Sequence, residues 1–200
     1  MKIVNYLQPK SSFLSVDKDM NLIVNRILEN ERLCKMLYYS SADALKRREL
    51  TEEEKLSMFG KNIKIVPKLT VDNEVLQYLC IGFSNFITNP TNPEFRDHTI
   101  EFDIVCHFDQ WTLGDFALRP YKIAAELDTM FDKKKFAGIG LLEFVGATPI
   151  MLTDEFGGLC LMYRTVNGED DKKHAPVDQA DIVENFNKIF NEPKDESIIK

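Results

Sequence analysis

The stretch HTIEFDIVCHFD at residues 98–109 alternates between apolar and other side chains. Successive side chains of a β-strand point to opposite faces of its sheet, so this alternation predicts a strand with one face in the core. The core face should hold Ile100, Phe102, Ile104, Cys106 and Phe108. The opposite face should hold Glu101, Asp103, Val105, His107 and Asp109. The chain must therefore build a sheet that buries one face.

Four residues of the second face, Glu101, Asp103, His107 and Asp109, carry side chains that bind divalent metals. Neighbours on one strand face lie about 6.5–7 Å apart, so an adjacent pair could share an ion but all four could not. We interpret this face as solvated or facing a subunit interface. A metal-dependent hydrolase or nuclease acting at this strand stays open as an alternative.

Further strands flank this one. Residues 75–88 (VLQYLCIGFSNFIT) are apolar on both parities, which is typical of an inner strand. The Asn-Pro-rich stretch that follows predicts an exposed loop, so the two strands should form an antiparallel hairpin. Residues 141–147 and 159–166 predict two last strands, with Pro149 interrupting and residues 153–158 forming the turn.

Segments with helical periodicity lie before the predicted strands and between them. Residues 17–48 predict an amphipathic helix or a pair of helices, and Thr51 opens a short helix with the side chains of a capping box. After the central strand, Asp115 should cap a helix with Pro120 in its first turn. The apolar stripe that covers the sheet comprises Ile123, Ala124, Leu127, Met130 and Phe131.

The C-terminal region predicts a linker and then an amphipathic helix whose stripe includes Phe186 and Phe190. This helix would pack either on its own domain or on a neighbouring subunit, and a monomeric adaptor that docks through it is a further alternative. The sequence thus predicts an α+β fold: a mostly antiparallel sheet covered on one face by a helix. We divide it into a helical segment at 1–60, a core domain at 61–166, and a linker with a tethered helix at 167–200.

The net charge and the motifs of the sequence argue against several classes of function. With 32 acidic and 25 basic residues the net charge is -7, which argues against broad binding to a phosphate backbone. The basic run Lys46-Arg47-Arg48 is followed at once by acidic residues. The four cysteines stand alone among apolar residues, and the sequence has no signal peptide or membrane span, which indicates the cytosol. Nucleotide-binding and catalytic motifs are missing, so we expect no enzyme, no cofactor and no metal.

The order of elements resembles the tail-terminator (tail-completion) proteins of long-tailed bacteriophages. The resemblance runs over about residues 63–166: an apolar strand, a Pro/Asn-rich insert, the strand IEFDIVCHFDQW, a helix beginning near Arg119-Pro120-Tyr121, an acidic turn and a last strand, LCLMYRTV. In that family a hairpin strand leads through a short polar link into a long helix laid across the sheet. The longer N-terminal helices and the C-terminal helix depart from its smaller members.

The resemblance implies a non-enzymatic structural protein of the virion neck, assembled in the host cytoplasm. It would form a ring, typically a hexamer, that ends the tail tube and joins it to the head connector, and DNA would pass through the lumen without specific binding. Glu101, Asp103 and Asp109 then become candidate lumen or inter-subunit residues. Trp111, Phe186 and Phe190 become candidate interface residues.

Overall fold

The computed structural model describes residues 16–65, 76–88, 96–136 and 139–166. Within these residues the helices are α1 (Val16–Glu29), α2 (Glu31–Tyr38), α3 (Glu52–Ser57) and α4 (Arg119–Phe131). The strands are β1 (Ile63–Lys64), β2 (Gln77–Thr88), β3 (Arg96–His107), β4 (Lys135–Phe136), β5 (Gly140–Met151) and β6 (Phe156–Val166). The architecture is α+β, as predicted.

The six strands of the described residues form one sheet in the order β1-β2-β3-β6-β5-β4. The short β1 runs parallel to β2, and all other neighbours are antiparallel. The predicted hairpin of β2 and β3 is confirmed, with Leu79 opposite Ile104. Strand β2 is apolar on both parities because both of its faces are covered near its start: Leu79 and Ile81 lie in the main core, and Tyr78 lies in a second, smaller apolar cluster.

Helices α2 and α4 cover one face of the sheet, α2 over β2 and α4 over β3, β6 and β5. The buried stripe of α4 is as predicted, except that Ala124 is only partly buried. The pair of helices predicted within residues 17–48 is also confirmed, and α1 packs on α2. Apolar residues of α1, α2, α4 and the sheet belong to one core cluster. The domain boundaries at residues 60 and 166 stay predictions.

The N-termini of α3 and α4 can be compared with the capping residues that the sequence predicts. Thr51 and Glu54 form the predicted capping box of α3, each side chain bonded to the other's backbone N–H. The prediction for α4 was wrong: its N-cap is Leu118, whose side chain makes no capping bond, and Asp115 lies in a preceding 3-10 turn. Pro120 does lie in the first turn of α4, where its missing N–H costs nothing.

Strand β5 runs through Pro149, which we had expected to interrupt it. Leu152 N donates to Phe156 O at 2.9 Å, and hydrogen-bonded pairs alternate along an antiparallel ladder. This alternation places the nitrogen of Pro149 on the side away from β6, where no N–H is needed. Because β4 pairs with β5 only at Gly140 and Leu141 in the described residues, Pro149 lies on a sheet edge, the position that strands tolerate for proline.

Gly157 and Gly158 lie in β6, not in the turn where we had placed them. A Cβ on Gly158 would overlap the backbone carbonyl of Ile104 on the neighbouring β3. A side chain is therefore excluded where β6 passes β3 at this point.

Two predicted segments, the Asn-Pro-rich loop at 89–95 and the C-terminal helix with Phe186 and Phe190, lie outside the described residues. Among the helices that are described, none is long and apolar enough to cross a membrane.

We predict that Gly158→Ala destabilises the fold by about 3 kcal/mol or more, because the new methyl group must displace the β3 backbone. Gly82→Ala is the matched control, since a Cβ on this strand glycine meets nothing within 4 Å. Urea unfolding of both variants measures the difference. Equal stability of the two would contradict the close approach of β6 to β3.

Candidate functional site

The face of the sheet opposite the helices holds the acidic residues that the sequence singled out, but they are engaged within the chain. Glu101 accepts a hydrogen bond from Ser84 on β2. Asp103 is half-buried, and Cys160 on β6 lies opposite it and bonds to its carboxylate. Two of the three candidate lumen residues, Glu101 and Asp103, therefore already have partners on adjacent strands.

Burial raises the pKa of Asp103 above its ordinary value, and the neighbouring carboxylate of Glu101 raises it further. The hydrogen bond from Cys160 acts in the opposite direction but does not reverse the shift. Burial also raises the pKa of the Cys160 thiol to about 12. Folding thus disfavours the charged form of Asp103, and the Cys160 thiol beside it stays protonated at neutral pH.

This face is also less polar than predicted. Val105 is buried and packs with Tyr78 and Phe156 in a second, smaller apolar cluster. The ring of Phe156 also meets His107 edge-on, at 4.9 Å between ring centroids. The alternation of β3 is real, but one end of its second face is a small core.

The prediction that Asp109 lies on a face of β3 was wrong, because β3 ends at His107 and residues 108–110 form a 3-10 helix. His107 causes the turn by accepting the backbone N–H of Asp109 at its Nδ1, 3.1 Å away. The side chain of Asp109 is 83% exposed. Phe108, expected in the core, is partly exposed and lies beside Trp111, whose ring is 5.3 Å away and partly buried against the core.

The part of the chain that the structure describes contains no group of three or more His, Cys, Asp or Glu residues that could hold a metal ion. All four cysteines lie in this part and all are free thiols. Burial raises the pKa of Cys106, the one beside a histidine, to about 12, so its reactive thiolate is disfavoured.

The basic run at 46–48 is largely neutralised by ion pairs. Arg48 bonds the carboxylate of Glu54 through both terminal nitrogens, and Arg47 bonds Asp43. The guanidinium of Arg48 holds the pKa of Glu54 at about 2. These pairs leave little positive charge here to attract a phosphate backbone.

A loop between β3 and α4, residues 111–118, presents Phe116 to solvent; we call it the Phe116 loop. Phe116 is 93% exposed and has φ +59°, in the left-handed region that bulky residues rarely adopt. Strain of this kind costs about 1–3 kcal/mol and is concentrated at functional sites. Because an exposed side chain gains little from packing, contacts of Phe116 within the chain do not repay this cost.

Backbone hydrogen bonds pin the Phe116 loop at several points. Leu113 N donates to Ala117 O, Gly114 N to Ala42 O, and Arg119 N to Trp111 O, each at 2.7 Å. The loop is thereby closed on itself and attached to the turn after α2. These hydrogen bonds fix the backbone of the loop, which therefore holds the Phe116 side chain in solvent.

Further exposed apolar side chains lie at the same end of the sheet, where β3 and β5 end and β6 and α4 begin. We call this set the end surface: Phe108, Phe116, Leu118, Tyr121, Met151 and Leu152. Phe108 N donates to Glu155 O at 2.9 Å, which ties the turn after β3 to the β5–β6 connection. Exposed apolar side chains gathered at one end of a sheet make this end a candidate for a protein contact.

Arg119 holds this end together from inside. Its side chain is fully buried, and its guanidinium donates to five backbone carbonyls of the described residues. These are Met36, Tyr39, Ser40, Ser41 and Gln110, at distances from 2.7 to 3.1 Å. The first four lie at or just after the C-terminus of α2, where a cation also complements the helix dipole.

Sequence reasoning missed Arg119 and Phe116, although each left a signal. Arg119 is the first residue of α4, where a cation is unfavourable to its own helix, so its charge had to serve another group. Phe116 is an aromatic residue in the polar, glycine-containing stretch TLGDFA, where solvent exposure is the rule. Neither signal identifies a partner.

The comparisons place the chain in a family. A family model described as YomW matches residues 30–165. The chain belongs to the YomW family. This family is phage-derived and of unclear function. No curated protein and no solved structure matches.

The YomW match begins at Asn30, the N-cap of α2, and ends one residue before the end of β6. It therefore includes Arg119, its carbonyl acceptors, the Phe116 loop and the end surface. Predicted interface residues Phe186 and Phe190 lie outside both the match and the described residues.

We predict that Arg119→Met in this YomW-family chain lowers the free energy of unfolding by about 3–5 kcal/mol, because five backbone carbonyls lose the guanidinium as a donor. Arg164→Met is the control, since Arg164 is exposed and pairs with Glu143, and should cost under about 1 kcal/mol. Chemical denaturation measures both. A small loss for Arg119→Met would show that it does not hold α2 to α4.

Asp103→Asn should stabilise the chain at pH 7. A carboxyl whose pKa is raised by folding stabilises the folded state only while protonated, and this contribution is lost as pH rises through the folded pKa. Asparagine does not titrate, so its advantage should vanish as pH falls towards 3.8, the ordinary value. Thermal melts between pH 7 and pH 3.8, with exposed Glu49→Gln as the control for lost negative charge, measure the effect. An advantage independent of pH would refute it.

Proposed function

We propose that this chain is a structural protein of the phage virion that self-associates into a ring. The ring, a hexamer in the tail-terminator proteins that the chain resembles, would end the tail tube and join it to the head connector. The protein would assemble in the host cytoplasm and reside in the neck of the particle. Membership of a phage-derived family supports the phage context, and the end surface supports a role in protein contacts.

The observation that carries this proposal is the end surface. Its largest exposed members are Phe116, at 93%, and Met151, at 74%. Burying apolar area is worth about 25 cal/mol per Å², so leaving it in water is unfavourable unless another surface covers it. Symmetric oligomers cover such surfaces by repeating one contact between identical chains.

Order in the supporting backbone strengthens the argument. The Phe116 loop and the β5–β6 connection are both closed by hydrogen bonds, so little further entropy is lost when they bind. A surface that is rigid before binding suits an assembly contact better than a loop that must first become ordered.

The charge supports passage of DNA through a lumen. Net charge -7 gives copies of the chain no general attraction for phosphate. Among the predicted lumen residues, Asp109 has the most exposed carboxylate, whereas Glu101 and Asp103 bond within the sheet. Asp109 is therefore the better candidate for a residue that repels DNA.

We expect the full chain to form closed oligomers, alone or on tail tubes that lack their terminator. Analytical ultracentrifugation gives the mass, and negative-stain imaging shows whether the chain caps one end of the tube. A chain that stays monomeric in both settings would refute the proposal.

Two leucines of equal exposure provide a matched test of the end surface. Leu118 on it is 42% exposed, and Leu56 on α3 is 43% exposed. Leu118→Ser should weaken association while supplying a better N-cap for α4, and Leu56→Ser should leave association unchanged. Equal effects of the two would show that the end surface is not the contact.

A further inference from the structure

The end surface consists of two parts that differ in chemistry. One part is aromatic: Phe116 and Tyr121, with the exposed Lys122 next to Tyr121 in the first turn of α4. The other is the β5–β6 hairpin tip, residues 151–155, which exposes Met151 and Leu152 beside the carboxylates of Asp154 and Glu155. The two parts match in apolar character, and Lys122 is opposite in charge to Asp154 and Glu155, although the Phe116 loop also contains Asp115.

We propose that the Phe116 loop, together with the first turn of α4, binds the β5–β6 hairpin tip of a second copy of this chain. This contact rests on the proposed self-association and names the surfaces that perform it. Phe116 and Tyr121 meet Met151 and Leu152, and Lys122 meets Asp154 or Glu155. Both partners of the contact are present on every copy.

Chemical complementarity favours a second copy. Methionine sulfur makes favourable contacts with aromatic rings, and its unbranched side chain adapts to an irregular surface. Opposite charges at the rim exclude wrong pairings and speed association. Aromatic surfaces brought together as a pair would instead place like charges of Lys122 face to face.

The hairpin tip is as ordered as the loop it would meet. Thr153 Oγ1 accepts the backbone N–H groups of Glu155 and Phe156 at 3.2 and 3.1 Å. Leu152 N and Thr153 N both donate to Phe156 O. Met151 is consequently presented at a fixed place, as Phe116 is.

Strain at Phe116 gives the contact a distinctive signature. Phe116 and Lys133 both have positive φ, +59° and +54°, and glycine adopts this conformation freely. Each replacement by glycine should therefore remove strain. Only Phe116 lies in the proposed contact, so only its replacement should affect association.

The first experiment compares Phe116→Gly with Lys133→Gly in the full chain. We expect both variants to raise the Tm of the dissociated chain, measured at dilution, by about 2–4 °C. Sedimentation equilibrium should show association weakened by about tenfold or more for Phe116→Gly and unchanged for Lys133→Gly. Unchanged association of Phe116→Gly overturns the contact, as does a wild-type chain that stays monomeric at every concentration.

The second experiment reverses the charges. Lys122→Glu alone and the pair Asp154→Lys with Glu155→Lys should each weaken association, and mixing the two variant proteins should restore it. Restoration identifies the second copy as the partner, because each variant carries the surface that the other lacks. Failure of the mixture to associate overturns the contact.

Ring formation is decided separately. A contact between two different surfaces of the chain builds a ring when its rotation closes, and mass measurement of the restored mixture reports the number of subunits. A product of two subunits would support the proposed contact and overturn the proposed ring. A closed ring that still forms with both sets of variants would support the proposed ring and overturn the contact.

Discussion

The buried guanidinium of Arg119 is the interaction on which the arrangement of this molecule depends. Its partners are backbone carbonyls of two separate regions: the end of α2 with its following turn, and Gln110 beyond β3. A buried cation is costly unless its donors are satisfied, and here the five N–H groups of arginine meet five acceptors. Because Arg119 is also the first residue of α4, one side chain fixes the N-terminal helices to the helix that covers the sheet. It also sets where the Phe116 loop begins and ends.

Local periodicity made much of the fold predictable. The alternation of β3, the stripe of α4 and the capping box at Thr51 depend on residues close in sequence, and all were found. Two of the errors depend on contacts distant in sequence. Pro149 is tolerated because β5 is an edge strand there, and Gly158 is required because β3 passes close to it. The end of β3 is a local exception, because His107 accepts a hydrogen bond from Asp109 N, and alternation does not reveal this bond.

The candidate site shows the same limit more sharply. Residue type indicated Glu101 and Asp103 as site residues. In the folded chain their carboxylates are hydrogen-bonded, Glu101 to Ser84 and Asp103 to Cys160. Those partners lie on β2 and β6, so only the strand register brings them together. Exposure and backbone strain pointed instead to Phe116, and neither can be read from residue type. Residues that lie on a predicted polar face are thus weaker evidence for a site than an exposed residue that costs the fold energy.

Self-association of an acidic chain is opposed by electrostatic repulsion between its copies, and the end surface is suited to overcoming this repulsion. Copies with net charge -7 repel one another over the Debye length, about 8 Å at physiological ionic strength. A contact between such copies needs apolar burial that is insensitive to salt, with opposite charges only at its rim. In the proposed contact, Phe116 and Met151 would supply the first, and Lys122 with Asp154 and Glu155 would supply the second. The strain at Phe116 would then have a physical role, because it sets an aromatic ring in water, where a second copy could reach it.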